Sequence, residues 1–154
     1  MAQRIFYKSP LGLIEISSDD NNIVALDFVQ PRRGAACCAP TTPLLKKCVQ
    51  QLDEYFAGKR RSFDLPLKLS GSAFQQKVWR ALQKIPHGQT CSYADLAKKI
   101  GSPKACRAVG GANHKNKIAI VIPCHRVIGA DGSLTGYAGG LEKKRWLLEH
   151  EKSF

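Results

Sequence analysis

The stretch Ser92-Tyr-Ala-Asp-Leu-Ala-Lys-Lys-Ile-Gly-Ser-Pro-Lys-Ala-Cys-Arg-Ala-Val-Gly-Gly-Ala-Asn113 contains two short helical patterns on either side of one tight turn. Ser92 can cap a helix over residues 93–100, in which Leu96 and Ile100 stand four apart on one face. Gly101-Ser102-Pro103 then turns the chain into a second helix over about residues 104–113. Two short helices joined by a glycine-containing turn form a helix-turn-helix, although an ordinary helical hairpin has the same pattern. Charge separates the two readings. Lys98, Lys99, Lys104, Arg107, Lys115 and Lys117 lie on or beside the unit, which favours a pair of helices that meets nucleic acid. The second helix also carries Gly110 and Gly111, each about 1 kcal/mol worse than alanine in a helix, so something is expected to approach its backbone closely. Arg107 is the long side chain among these small residues, placed to enter a groove.

Upstream, Ser72 and Gln75 have the spacing of a capping box, and Phe74, Val78, Leu82 and Ile85 fall on one face before Pro86-His87-Gly88 ends the helix. Trp79 extends that face toward a core. A boundary is expected near residues 69–72, which divides the chain into domains at 1–69 and 70–154. The first of these is β-rich. Residues 4–8, 13–17 and 23–29 alternate or carry β-branched apolar side chains, and the turns between them hold Pro10, Gly12, Asp19 and Asn22. An antiparallel meander follows. Residues 31–40 show no periodicity and read as a loop. Thr42 can then cap a helix with Pro43 at its first position and Leu45, Cys48, Leu52 and Tyr55 or Phe56 at helical spacing up to Gly58. The expected fold class is α+β: a small N-terminal α/β domain with an antiparallel sheet, then a mainly helical domain of winged helix-turn-helix type.

The 154 residues, 44% hydrophobic, are enough to bury a core and exclude a disordered chain. No stretch has the length of a membrane-spanning helix, and the N-terminus becomes polar too early for a signal peptide, so an intracellular protein is expected. Six cysteines, at positions 37, 38, 48, 91, 106 and 124, lack the paired spacing of a zinc site and read as free thiols. The formal charge is +12, and it is unevenly spread: residues 70–154 carry 14 basic against 5 acidic side chains, residues 1–69 carry 10 against 7. Such a balance attracts polyanions, nucleic acid first among them, while a merely solvated basic surface accounts for the same charge.

The run Ile122-Pro-Cys-His-Arg-Val127 places a soft nucleophile, Cys124, next to a residue that carries protons, His125. A cysteine reacts as its thiolate, and a free thiol is mostly protonated at neutral pH, so a neighbouring imidazole and arginine have a chemical use. A buried, unreactive cysteine is the plain alternative.

Taken together, Ser92-Tyr93, the run from Arg107 to Asn113, Asn116, the run from Ile122 to Val127, Gly136-Tyr137-Ala138-Gly139-Gly140-Leu141 and the closing Lys144-Arg-Trp-Leu-Leu-Glu-His-Glu151 resemble the O6-alkylguanine-DNA alkyltransferase (methylated-DNA–protein-cysteine methyltransferase) family. The resemblance spans residues 70–151 in consistent order and is looser in the first third, where the family has a ribonuclease H-like domain. It implies transfer of an alkyl group from O6-alkylguanine, and from O4-methylthymine, in duplex DNA onto Cys124. His125 is implied as the base, acting through a water, and Glu151 as the residue that orients it. Tyr93 is the implied proton or hydrogen-bond donor to the leaving guanine, and Arg107 the finger that fills the space of an extruded nucleotide. Asn116 is the implied hinge, Ser92, Lys104, Ala105, Gly110 and Gly111 the further DNA contacts, and Val127, Tyr137, Ala138 and Gly139 the lining of the base pocket. An S-alkyl cysteine offers water no carbonyl to attack, so each molecule acts once.

No cofactor and no metal are expected, and the chain has no Cys or His before Cys37 to hold the zinc that some relatives bind. The expected partner is double-stranded DNA carrying O6-alkylguanine, met by a monomer in the cytoplasm, or in the nucleus of a eukaryote, with no membrane involved. Lys117 and Ala119 replace prolines found in relatives, and Ala138 a serine. A non-enzymatic alkyltransferase-like protein that only flags lesions is the alternative, and Cys124 speaks against it. A cysteine hydrolase would need an oxyanion hole and would have no use for the basic helix pair.

Overall fold

The computed structural model describes residues 3–30, 42–134, 137 and 140–154, and these form two units. The first comprises the chain up to Leu69 together with Lys117–Ala119 and Phe154; the second comprises Ser70–Asn116 and Ile120–Ser153. The fold class is α+β, with an antiparallel sheet in the first unit and a mainly helical second unit.

In the first unit β1 (Gln3–Ser9), β2 (Gly12–Ser18) and β3 (Ile23–Phe28) form an antiparallel meander in sequence order. Period-2 alternation places Ile14 and Ile16 on the buried face, both with no exposure. The turn after β1 is closed by Ser9, whose Oγ accepts the Leu11 N–H and donates to the Gly12 carbonyl. Asp19 closes the next turn by accepting the N–H groups of Asn21 and Asn22. Helix α1 (Pro43–Phe56) starts at Thr42, whose Oγ1 accepts the Leu45 N–H at 3.2 Å, and buries Leu45, Cys48, Leu52 and Tyr55. Gln51 on this helix holds residue 64 by two bonds, donating to the Asp64 carbonyl and accepting its N–H. Two short parallel bridges extend β3: Leu67 pairs with Ile23, and Ile118 pairs with Leu26. Residues 117–119, expected in the second domain, therefore run along the sheet of the first unit.

In the second unit α2 (Ala73–Leu82) begins with the capping box that Ser72 and Gln75 suggest. It ends earlier than the apolar spacing implies, leaving Ile85 in the following turn. Trp79 is buried, and its Nε1–H donates to the Ala112 carbonyl at 2.8 Å. A β-carbon on Gly71 would lie 2.7 Å from the Trp79 ring, so this position admits no side chain. Helix α3 (Tyr93–Lys99) is capped by Ser92, and α4 (Cys106–His114) follows a turn in which Gly101 takes φ +79°. The second helix starts two residues later than expected, because Ala105 (φ −97°, ψ 28°) still belongs to the turn. Two pairs of residues, β4 (Cys91–Ser92) and β5 (Val127–Ile128), form a parallel ladder that the sequence does not announce. It joins the start of α3 to the chain just after Cys124. Helix α5 (Leu141–Lys152) packs on the turn Cys124–Arg126. No helix of the described residues is long and apolar enough to cross a membrane.

Candidate active site

Cys124 is held by its backbone before its side chain is considered. Proline fixes φ near −65°, and Pro123 (φ −79°, ψ 65°) closes an inverse γ-turn in which the Cys124 N–H donates to the Ile122 carbonyl at 2.8 Å. Asn116 Nδ2 donates to the same carbonyl at 2.9 Å. Residues Cys124–Arg126 then make one turn of 3-10 helix, so that the Val127 N–H returns to the Cys124 carbonyl, which also accepts Asn113 Nδ2 at 3.3 Å. The two asparagines thus tie α4 and the segment after it to both sides of the cysteine. Upstream, Ile120 holds φ 69°, a left-handed conformation that costs a β-branched residue roughly 1–2 kcal/mol.

The next residue begins the acid–base array. His125 Nε2 and Glu151 Oε2 lie 2.7 Å apart, with both side chains fully buried. Arg126 Nε donates to Glu151 Oε1 at 2.8 Å and Nη2 to Oε2 at 3.0 Å, while Nη1 reaches the Ile85 carbonyl at 2.6 Å. Burial alone would raise the pKa of Glu151, but the hydrogen bonds and charges of His125 and Arg126 outweigh it and hold the carboxyl well below the usual range. Burial lowers the pKa of His125, and Arg126 and Lys144 act the same way against the pull of Glu151. Near neutral pH the arrangement is an ionised Glu151 and a neutral imidazole. The carboxylate accepts from Nε2–H, which leaves Nδ1 as the basic nitrogen; that atom is buried and has no protein hydrogen-bond partner. A neutral imidazole with a free basic nitrogen, one residue from a thiol, can move a proton off sulfur.

Lys144, Leu147 and Glu151 form the buried face of α5, at the i, i+3, i+7 spacing of one helical stripe. The other described thiols lack such a setting: burial pushes Cys48 up to about 12 and raises Cys91 as well. The four described cysteines are all free, and Cys37 and Cys38 lie outside the described residues. Among the described residues no group of three or more His, Cys, Asp or Glu could hold a metal ion.

The remaining predicted site residues fall as follows. Ser92 Oγ accepts the Asp95 N–H as the cap of α3, which makes Tyr93 the first helical residue. The Tyr93 ring lies 3.8 Å from where a β-carbon on Gly110 would stand, in ordinary contact, whereas a β-carbon on Gly111 would meet nothing. Lys104, Arg107 and Gly111 are exposed, and Ala105 stands at the N-cap of α4, which no side chain caps. Asn116 is buried beside the cysteine loop. Val127 is fully buried with its N–H committed to Cys124, and Tyr137 is buried. Ala138 and Gly139 lie outside the described residues. Three residues of this site carry no role in the sequence reading: Asn113 on the Cys124 carbonyl, Lys144, and Arg126 as the second partner of Glu151. For Lys144 the signal is present, a lysine in register with Leu147 and Glu151 on an otherwise apolar stripe.

A two-unit chain with a helix-turn-helix packed beside a buried Cys–His–Glu array defines a class of DNA-directed, thiol-bearing proteins. The chain matches the family model of the 6-O-methylguanine DNA methyltransferase DNA binding domain over residues 73–153, and that of the 6-O-methylguanine DNA methyltransferase ribonuclease-like domain over residues 4–69. It belongs to this family. Among its relatives is a methylated-DNA–protein-cysteine methyltransferase of Mycobacterium tuberculosis, 60% identical over 149 residues, covering 94% of this chain and 89% of that one. Another, of Methanosarcina acetivorans, is 44% identical over 150 residues, covering 96% of each. A crystal structure of the Mycobacterium tuberculosis protein in complex with DNA superposes with TM-score 0.87 at 47% identity, covering 96% of this chain and 91% of that one.

Proposed function

We propose that this chain is a methylated-DNA–protein-cysteine methyltransferase, which removes an alkyl group from O6-alkylguanine in duplex DNA by transferring it to Cys124 Sγ. The observation that carries the reading is the hydrogen bond from His125 to the ionised Glu151, which leaves the basic Nδ1 in the turn that bears the thiol. In this mechanism the thiol proton passes through a water to His125 Nδ1, and the thiolate attacks the alkyl carbon. The S–C bond forms as the C–O6 bond breaks, and the electron pair stays on guanine, which takes a proton or hydrogen bond from the Tyr93 hydroxyl. O4-methylthymine offers the same alkyl–oxygen bond. The thioether product has no route back to the thiol, so the protein acts once.

The reacting carbon lies inside the base stack, so the nucleotide must be extruded. Arg107, exposed on the first turn of α4, is the side chain proposed to fill the gap. The N-terminal N–H groups of α4 carry no side-chain cap, and with Lys104 beside them they suit a phosphate. Gly111 leaves open space where the duplex would approach, and Ser92 and Gly110 lie on the same helix pair. Val127, Tyr137, Ala138 and Gly139 are proposed to line the base pocket, and Asn116 to act as the hinge between α4 and the cysteine loop. The protein is proposed to act as a monomer, in the cytoplasm or, in a eukaryote, in the nucleus. The relatives are named as methyltransferases and Cys124 occupies the acceptor position, so a lesion-flagging protein without transfer is not favoured. The test is to incubate the protein with duplex DNA carrying O6-methylguanine and weigh the intact protein. A gain of one methyl group on Cys124, absent from Cys124→Ala, is expected; binding without a mass change would reject transfer.

A further inference from the structure

Helix α5 sends two charged side chains into the interior, two turns apart on one face: Glu151 and Lys144, the latter with no solvent exposure at all. Glu151 is spoken for by His125 and Arg126. Its charge and that of Arg126 cancel within one doubly hydrogen-bonded pair, and His125 is neutral. Lys144 adds a further buried positive charge, which is expensive unless an opposite charge lies against it. The group of α5's packing partner that couples to it is Cys124, itself 6% exposed at the start of the 3-10 turn. Other charged groups in reach are His125 and Arg126 from that turn and Glu151 from α5; the end of α2 contributes the Ile85 carbonyl.

We propose that Cys124 and Lys144 form one buried ion pair: the ammonium holds the sulfur as a thiolate, and alkylation of the sulfur in turn discharges the ammonium. Burial pushes Lys144 down to about 8, and the negative sulfur is the influence that opposes the fall. The thiol proton leaves to solvent by way of His125 Nδ1, so the imidazole is neutral before and after, and the resting counter-charge to sulfur is Lys144. When an S–C bond replaces the thiolate, the sulfur becomes a neutral thioether. Lys144 then faces a buried site without its anion and releases its proton to water, becoming a neutral amine. Lys144 is thus a positioning residue that makes the nucleophile, and afterwards the group that registers its consumption.

The proposal rests on Cys124 as the reactive thiol, but its test uses no DNA, so it stands or falls separately from alkyl transfer. Cys124 is alkylated with iodoacetamide across pH 5–10 and the modified peptide is quantified by mass. In Lys144→Met the midpoint of reactivity is expected to move up by about one pH unit or more, which is about a tenfold slower reaction at pH 7. A folded Lys144→Met with the native midpoint would overturn the pair. A reciprocal measurement leaves Lys144 in place: the side-chain NMR titration of lysine-labelled protein, native against Cys124→Ala and against protein capped by iodoacetamide. Both losses of the thiolate are expected to lower the Lys144 midpoint by about one unit. An unchanged Lys144 midpoint overturns the proposal even if Lys144→Met does not fold.

Discussion

Glu151 Oε2 receives the Nε2 proton of His125 at 2.7 Å, and the same carboxylate receives two N–H groups of Arg126. One side chain therefore sets the tautomer of the base and neutralises the guanidinium beside it. Glu151→Gln keeps the shape but loses the charge, leaving Arg126 as an uncompensated buried cation, which costs about 3–5 kcal/mol. The expected outcome is a sharp fall in melting temperature together with about a hundredfold slower single-turnover transfer at a temperature where the variant is folded. A variant with native stability would mean that Arg126 does not depend on this carboxylate.

The same pair sets the response to acid. The folded pKa values of His125 and Glu151 both lie below their unfolded values. Each therefore contributes stability that is complete above its unfolded pKa, about 6.5 for histidine and about 4.3 for glutamate, and is lost as pH falls from there toward the folded value. Urea unfolding between pH 8 and 3 is expected to show stability declining from about pH 6.5, with a second loss below about 4.3. In His125→Gln the first of these declines is expected to disappear; its persistence would assign it to other groups.

Gly111 offers a case in which stability and function part. It sits in α4 with ordinary helical φ, and an added β-carbon meets nothing within 4 Å. Gly111→Ala is expected to stabilise the protein by about 1 kcal/mol while weakening binding to duplex DNA, because the methyl group occupies space the proposed partner needs. Thermal melting and fluorescence-anisotropy binding read the two effects separately. Unchanged affinity would remove α4's small face from the interface.

Arg107 projects from the exposed side of the same helix, well away from the Glu151 network in its bonding. Arg107→Ala is expected to slow repair of duplex DNA on the order of tenfold or more, since unstacking a base takes a few kcal/mol, and to leave the reaction with the free modified base nearly unchanged. Equal losses on both substrates would reject a role in extrusion.

The parts of the fold legible in the sequence are those with a local rule. The alternation through Ile14 and Ile16, the Thr42-Pro43 start and the Ser72–Gln75 box each produce the element they suggest. The β4–β5 ladder is two residues long on each side and the pairing of residues 117–119 with β3 is shorter than any period, so neither leaves a pattern to read. Ile85 looks like a continuation of the α2 face, yet its carbonyl is bound by a guanidinium 41 positions later. Within the site, the adjacency of Cys124 and His125 is visible at once. That Arg126 shares Glu151, that Asn113 holds the Cys124 carbonyl and that Lys144 faces inward are facts of tertiary packing over 11 to 25 positions, which spacing does not encode.

The placement of Glu151 on α5 has a consequence for how the protein comes into being. The carboxylate follows His125 by 26 positions, so a growing polypeptide emerges with its cysteine and imidazole well before the residue that aligns them. Until α5 docks, His125 has no fixed tautomer, Arg126 has no anion and the sulfur is an ordinary thiol. Completion of the tertiary structure thus works as a safety catch: nascent or fraying molecules keep a sluggish cysteine, and a reagent that can be used only once is armed only when it is whole.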